Sequence, residues 1–213
     1  WLYKPPNLHY TILMPCITIS RQIGSLGCQV AALVSERLGY RMVWRELINQ
    51  AAQRCGAPEV ALATIDELGL LDVRPTKPAR LAYAQALARV MDELAEEGQI
   101  VIVGRAGQVI LRGRSDVFHV RIIAPEDVRA ERVARSKQVS LEAAQAMVKA
   151  SDQSRRNFLR LNYQVRWDDP TLYHLIVNTG QLSMHSAATL ICQGFAEYLH
   201  PSQPDPESTL SCE

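Results

Sequence analysis

The chain has 213 residues, 47% apolar and 21% charged, with a formal net charge of +1, which suits one α/β domain and is too short for two full-sized ones. So balanced a charge argues against binding DNA or RNA polymers, and no apolar run approaches the roughly 20 residues of a membrane-spanning helix. Five cysteines, Cys16, Cys28, Cys55, Cys192 and Cys212, are odd in number and form no CxxC, so neither a disulfide framework nor a zinc site is expected, and a reducing cytoplasm fits best.

Residues 1–13 (WLYKPPNLHYTIL) precede Met14 and read as an extension outside the fold; the domain is expected to occupy 14–200. The first strand is expected at 16–20 (CITIS). A glycine-bearing turn follows, then a helix with Val30, Leu33, Val34 and Leu38 on one face. A second strand is expected at 41–44. Residues 46–97 far exceed one crossover helix and read as an inserted helical lobe, striped by Leu87, Val90, Met91 and Leu94. The third strand, 100–103 (IVIV), runs into the glycine-flanked Arg105, and the fourth covers 117–124. Residues 126–163 read as an Arg-rich helical run, again longer than one crossover. A fifth strand at 174–178 precedes a last helix striped by Ala187, Leu190, Ile191, Phe195 and Tyr198. The Pro-, Ser- and acid-rich residues 201–213 are expected to be a disordered tail.

Short strands apolar on both faces, alternating with amphipathic helices, predict a doubly wound, three-layer α/β/α sandwich with a five-stranded parallel sheet. Ligands of such sheets bind at the carboxyl ends of the strands. The first strand ends there in SRQIGSLGCQ, where Gly24 and Gly27 allow close backbone approach and the following helix offers free N–H groups to a phosphate. This is the context of a phosphate-binding loop, yet neither register of GxxxxGK[ST] is met. With Gly27 as the final glycine, Cys28 stands in the lysine's place; with Gly27 in the lysine's place, its neighbours are Leu26 and Cys28.

Other polar residues converge on the same end of the sheet. Arg105 follows the third strand; Arg129, Arg132 and Arg135 recur at three-residue spacing; Asp152, Arg155 and Arg156 lie within about one helical turn; Thr179 follows the fifth strand. The nineteen arginines against four lysines suit phosphate, whose oxygens match the guanidinium fork. His119 and His174 lie within apolar strands and read as hydrogen-bonded core residues.

In order along the chain, ITISRQIGSLGCQVA, IVIVGRAG, APEDVRAERV, SDQSRRNF and LYHLIVNTGQLS resemble the cytidylate kinase-like family, a branch of the nucleoside monophosphate kinases. The resemblance runs from about residue 15 to 199 and implies a P-loop NTPase fold with the sheet order 2-3-1-4-5, an acceptor lobe at 46–97 and a helical lid within 126–163. It also implies transfer of the ATP γ-phosphate, with Mg²⁺, to a nucleoside monophosphate such as CMP. Ser20, Arg21, Gly24, Ser25, Leu26, Gly27, Cys28 and Gln29 would cradle the donor phosphates, with Arg21 replacing the lysine and Ser25 supplying the metal's hydroxyl. Arg132 and Arg135 would belong to the lid. Asp152, Arg155 and Arg156 would hold the acceptor's ribose and phosphate, with Arg105 beside them; Arg21, Arg132, Arg135 and Arg155 would be the catalytic cations. The partners implied are a nucleoside triphosphate and a monophosphate, in a monomer or homodimer. Trp44 stands where relatives carry an acid, and Leu26 and Cys28 depart from the loop pattern. Two alternatives stay open: a nucleotide-binding regulatory module with weak or no turnover, and a kinase of another small acceptor.

Overall fold

Residues 15–44, 50–51, 53–54, 56 and 76–200 are described by the computed structural model. The extension, the tail and most of the 46–76 stretch lie outside the described residues.

Runs of β-branched residues form the strands, because a branched Cβ packs well on a pleated, buried surface. They are β1 (Cys16–Arg21), β2 (Arg41–Val43), β3 (Ile100–Val103), β4 (Val117–Ile123) and β5 (Leu175–Asn178). All pair in parallel, as the sequence pattern predicts, in the order β2-β3-β1-β4-β5 that the family resemblance implies. Alternation along the strands divides the core in two. Ile17, Ile19, Val101, Val103, Val120 and Ile122 meet helices α1 (Gly27–Leu38) and α6 (Met184–Leu199) on one face. Cys16, Ile100, Ile102 and Val117 meet α2 (Lys77–Glu97) on the other.

Helix ends follow local chemistry. Thr76, Ser140 and Ser183 cap α2, α5 (Leu141–Tyr163) and α6 by accepting from the backbone N–H three residues on. The predicted stripe of α2 is buried as Leu87, Val90, Met91 and Leu94 against β3, so this helix is part of the sheet's covering layer. A short helix α3 (Gly107–Ile110) follows β3. The Arg-rich run divides at Gln138, φ 55, into α4 (Glu126–Lys137) and α5. These two share a small core of Ala130, Val133, Ala144 and Val148, which also covers Ile23 of the glycine-bearing turn. The α4–α5 pair is thereby seated over the carboxyl end of β1.

Of the two histidines expected in the core, His119 lies buried within β4, whereas His174 stands just before β5 and is exposed, because its ring lies over the sheet's edge against His119 and Tyr198. His119 Nδ1 shares a hydrogen bond of 2.7 Å with Thr18 Oγ1, its backbone N–H donates to His174 Nδ1 at 2.9 Å, and the rings stack with centroids 5.1 Å apart. Burial, then the neighbouring His174, pushes His119 down from 6.5 to about 4. Because the unfolded chain takes up this proton first, the neutral ring's contribution is complete above about pH 6.5 and is lost as the pH falls towards about 4, roughly 3 kcal/mol in all. Unfolding free energy measured across that window should fall with acidification, and the slope should flatten in His119→Gln; an unchanged slope in the variant would refute the assignment.

Candidate nucleotide site

After Arg21 the chain turns through Gly24, φ +75, and Leu26, φ 58, and α1 begins at Gly27. Position 26 therefore has the left-handed conformation that a motif's last glycine would adopt, and the helix opens at the residue standing for lysine. Of the two registers, the fold adopts the second: Gly27 in the lysine's place and Cys28 in the hydroxyl's. Ser25 lies wholly inside, its hydroxyl donating to the Gln22 carbonyl at 2.8 Å. Its own carbonyl accepts from Thr179 Oγ1 at 2.8 Å, which ties the loop to the end of β5.

The turn is held from α4 and α5 as well. Arg129 and Asp152, 3% and 4% exposed, pair through both oxygens at 3.2 and 2.9 Å. Arg129 Nε also donates to the Ala124 carbonyl at 3.0 Å, and Gln22 Oε1 accepts from the Ala124 N–H at 3.1 Å. Arg132 donates to the Gly24 carbonyl at 3.3 Å and the Thr179 carbonyl at 2.8 Å. Arg135 lies away from them, three-quarters exposed, with Glu131 at 3.6 Å. Each three-residue step falls about 60° short of a full turn, so a 129, 132, 135 series spirals from buried to exposed instead of sharing one face.

Beside the loop lies a cavity of about 80 Å³ whose lining, among the described residues, includes Arg21, Arg105, Arg155, Ser154, Phe158 and Trp167. Arg105 reaches it from a turn in which Gly104, Arg105 and Ala106 have φ 79, 58 and 61, left-handed geometry that side-chain-bearing residues adopt only under tertiary constraint. Trp167, 2% exposed, forms one wall; its Nε1–H donates to Ser20 Oγ at 2.9 Å, and the Arg121 and Arg155 guanidinium carbons lie 4.5 and 5.8 Å from its ring. Arg155 also donates to Ser151 Oγ. Arg156, one residue on, is exposed and lines no part of this cavity.

A sequence profile of the cytidylate kinase-like family matches residues 16–181. The chain belongs to the cytidylate kinase-like family. It is 28% identical over 178 residues to a cytidylate kinase of Pyrococcus horikoshii, spanning 82% of this chain and 85% of that one. A crystal structure of an uncharacterised protein from Eubacterium ventriosum superposes with a TM-score of 0.68 at 22% identity, covering 85% of this chain and 98% of the other. A gluconokinase from Sinorhizobium meliloti superposes with a TM-score of 0.54 at 16% identity, covering 87% and 93%. The α/β fold is thus that of P-loop kinases, and the family is one of kinase-like, nucleotide-binding phosphotransferases.

In this cytidylate kinase-like chain, the residues expected to bind ligand divide into two groups. Arg21, Arg105 and Arg155 converge on one cavity, whereas Arg132 and Asp152 are engaged with the loop and with Arg129. Sequence reasoning missed Trp167, Phe158, Ser154 and Arg121. The one available signal was a tryptophan between charged residues, Arg166 and Asp168, in a segment otherwise reading as loop.

Proposed function

We propose that this chain transfers the γ-phosphoryl group of ATP to a nucleoside monophosphate, with CMP the first candidate. The observation that carries the proposal is the cavity beside the loop, where three arginines meet the aromatic faces of Trp167 and Phe158. Guanidinium forks suit a phosphate monoester, whose oxygens they can engage two at a time. At about 80 Å³ the cavity has room for two or three water volumes, well short of the ~300 Å³ of a typical ligand pocket. The cavity thus matches the phosphate of the acceptor, whose nucleoside part would lie outside it.

The donor phosphates belong at the 22–27 turn, ahead of α1, whose first-turn N–H groups lack intrahelical acceptors and carry the positive end of the helix dipole. An acceptor phosphate oxygen attacks the γ-phosphorus as the bond to the β,γ-bridging oxygen breaks and ADP departs. The protein's task is positioning and charge neutralisation. The described residues do not fit a protein-held Mg²⁺. Ser25 is turned inward onto Gln22, Cys28 offers a soft thiol to a hard cation, and the described residues contain no group of three or more His, Cys, Asp or Glu that could hold a metal.

Mixing the protein with ATP and a panel of nucleoside monophosphates, and measuring ADP, tests the proposal; CMP-dependent ADP formation is the expected result. ATP binding with no ADP for any acceptor would identify instead a regulatory module, the reading that Gly27 in the lysine's place favours. ADP formation with a non-nucleotide acceptor alone would identify a different small-molecule kinase.

A further inference from the structure

Arg21 is the last residue of β1 and only 7% exposed, an unusual burial for arginine. Its stem crosses Gly27: a Cβ added there would lie within 2.9 Å of Arg21 Cγ and closer still to Arg21 Cβ. The guanidinium continues to Gly104, where an added Cβ would stand 2.5 Å from Nη1, and its central carbon lies 5.5 Å from the Trp44 ring. It ends in the cavity shared with Arg105 and Arg155, which no residue of the 24–29 segment lines. Two glycines and one tryptophan thus shape a channel that leads this side chain away from the donor loop.

We infer that Arg21 is an acceptor-side cation, binding the phosphate of the monophosphate together with Arg105 and Arg155, and that its stem excludes any side chain from position 27. The inference rests on the proposed function above. It gives the missing lysine and Trp44 one cause: a lysine at 27 and an arginine at 21 cannot share the same space, and Trp44 supplies the ring face on which the displaced cation rests. It also replaces the expectation that Arg21 stands in for lysine at the donor phosphates. A guanidinium in this channel adds positive charge to the group that attacks instead of to the group that leaves.

The test compares wild type, Arg21→Ala and Arg21→Lys by calorimetric titration with CMP and the other nucleoside monophosphates, and separately with a non-hydrolysable ATP analogue. Arg21→Ala should weaken monophosphate binding roughly ten- to a hundredfold while the ATP analogue stays within twofold. Arg21→Lys should recover part of the loss, because it keeps the charge and loses the fork. If Arg21→Ala fails to fold, the ratio of the two losses in Arg21→Lys decides. In turnover, the KM for monophosphate should rise with that for ATP unchanged. Wild type that binds the analogue and no monophosphate would overturn the functional reading and the role of Arg21 with it. Wild type that binds both, with the analogue losing as much as the monophosphate in Arg21→Ala, would overturn the placement of Arg21 alone. For the steric part, Gly27→Ala should lower Tm and Arg21→Gly/Gly27→Ala should restore much of it; a Gly27→Ala protein as stable as wild type would refute the exclusion.

Discussion

Asp152→Ala is expected to lower the unfolding free energy by about 3–5 kcal/mol, the range for removing one partner of a buried ion pair. Both its oxygens are held by Arg129, and both residues are almost wholly out of water. Deleting the carboxylate leaves a guanidinium inside the protein, bonded to the Ala124 carbonyl and without its counter-charge. Replacing both partners, as in Arg129→Met/Asp152→Leu, should recover much of the loss, since no charge is then stranded. The same pair sets the position of the 22–27 turn, because Arg129 Nη1 reaches the Ile23 carbonyl at 3.5 Å and Gln22 Nε2 reaches Asp152 at 3.5 Å. Asp152→Ala should consequently weaken triphosphate and monophosphate binding together. Denaturant midpoints and separate titrations of the two nucleotides check this. A stable variant with selective loss of monophosphate would show that Asp152 holds the acceptor's ribose, as the family resemblance implies.

The second large effect is expected at Gly24. Its φ of +75 is costly for any residue with a Cβ, and an added Cβ would stand 2.6 Å from the Arg129 carbonyl oxygen and 3.0 Å from Arg129 Cα. These are backbone atoms of α4, so relief requires the turn or the helix to move. The left-handed conformation costs about 1–2 kcal/mol and the forced displacement about 1–3. Gly24→Ala should then lose up to about 5 kcal/mol. Its nucleotide affinity should fall along with its stability, because the displaced segment carries the N–H groups meant for the donor phosphates. Gly39→Ala is the matched control: its φ is +67, yet nothing lies within 4 Å of an added Cβ, so only the conformational part of the cost should appear. Equal losses at the two glycines would mean that contact with α4 contributes nothing.

The sheet was legible in the sequence because burial on both faces leaves a local mark. IVIV at Ile100–Val103 and VFHVRII at Val117–Ile123 are apolar and β-branched over just the length of a strand, and the helices between them carry their stripes at a spacing of three to four. Alternation of the two kinds of element leads to parallel pairing through the geometry of crossover connections. Arg105 was legible for a similar reason: it directly follows a buried strand and is flanked by glycines.

The rest of the site was decided by contacts between distant segments. Arg129 and Asp152 could each have faced a ligand; that they face one another depends on how α4 packs on α5 through Ala130, Val133, Ala144 and Val148. Leu26 takes a conformation its own preferences oppose, held between the burial of Ser25 and the start of α1. Trp167 reaches Ser20 across 147 positions of sequence, and Gln22 reaches Asp152 across 130. Arg21 sits at the mouth of the loop in sequence, yet Gly27, Gly104 and Trp44, from three separate elements, shape the space that turns its guanidinium towards the neighbouring cavity. Local pattern reports which residues leave water. Where a long polar side chain ends is set by the space that remote backbone leaves for it, and that space exists only once the sheet and its helices have assembled.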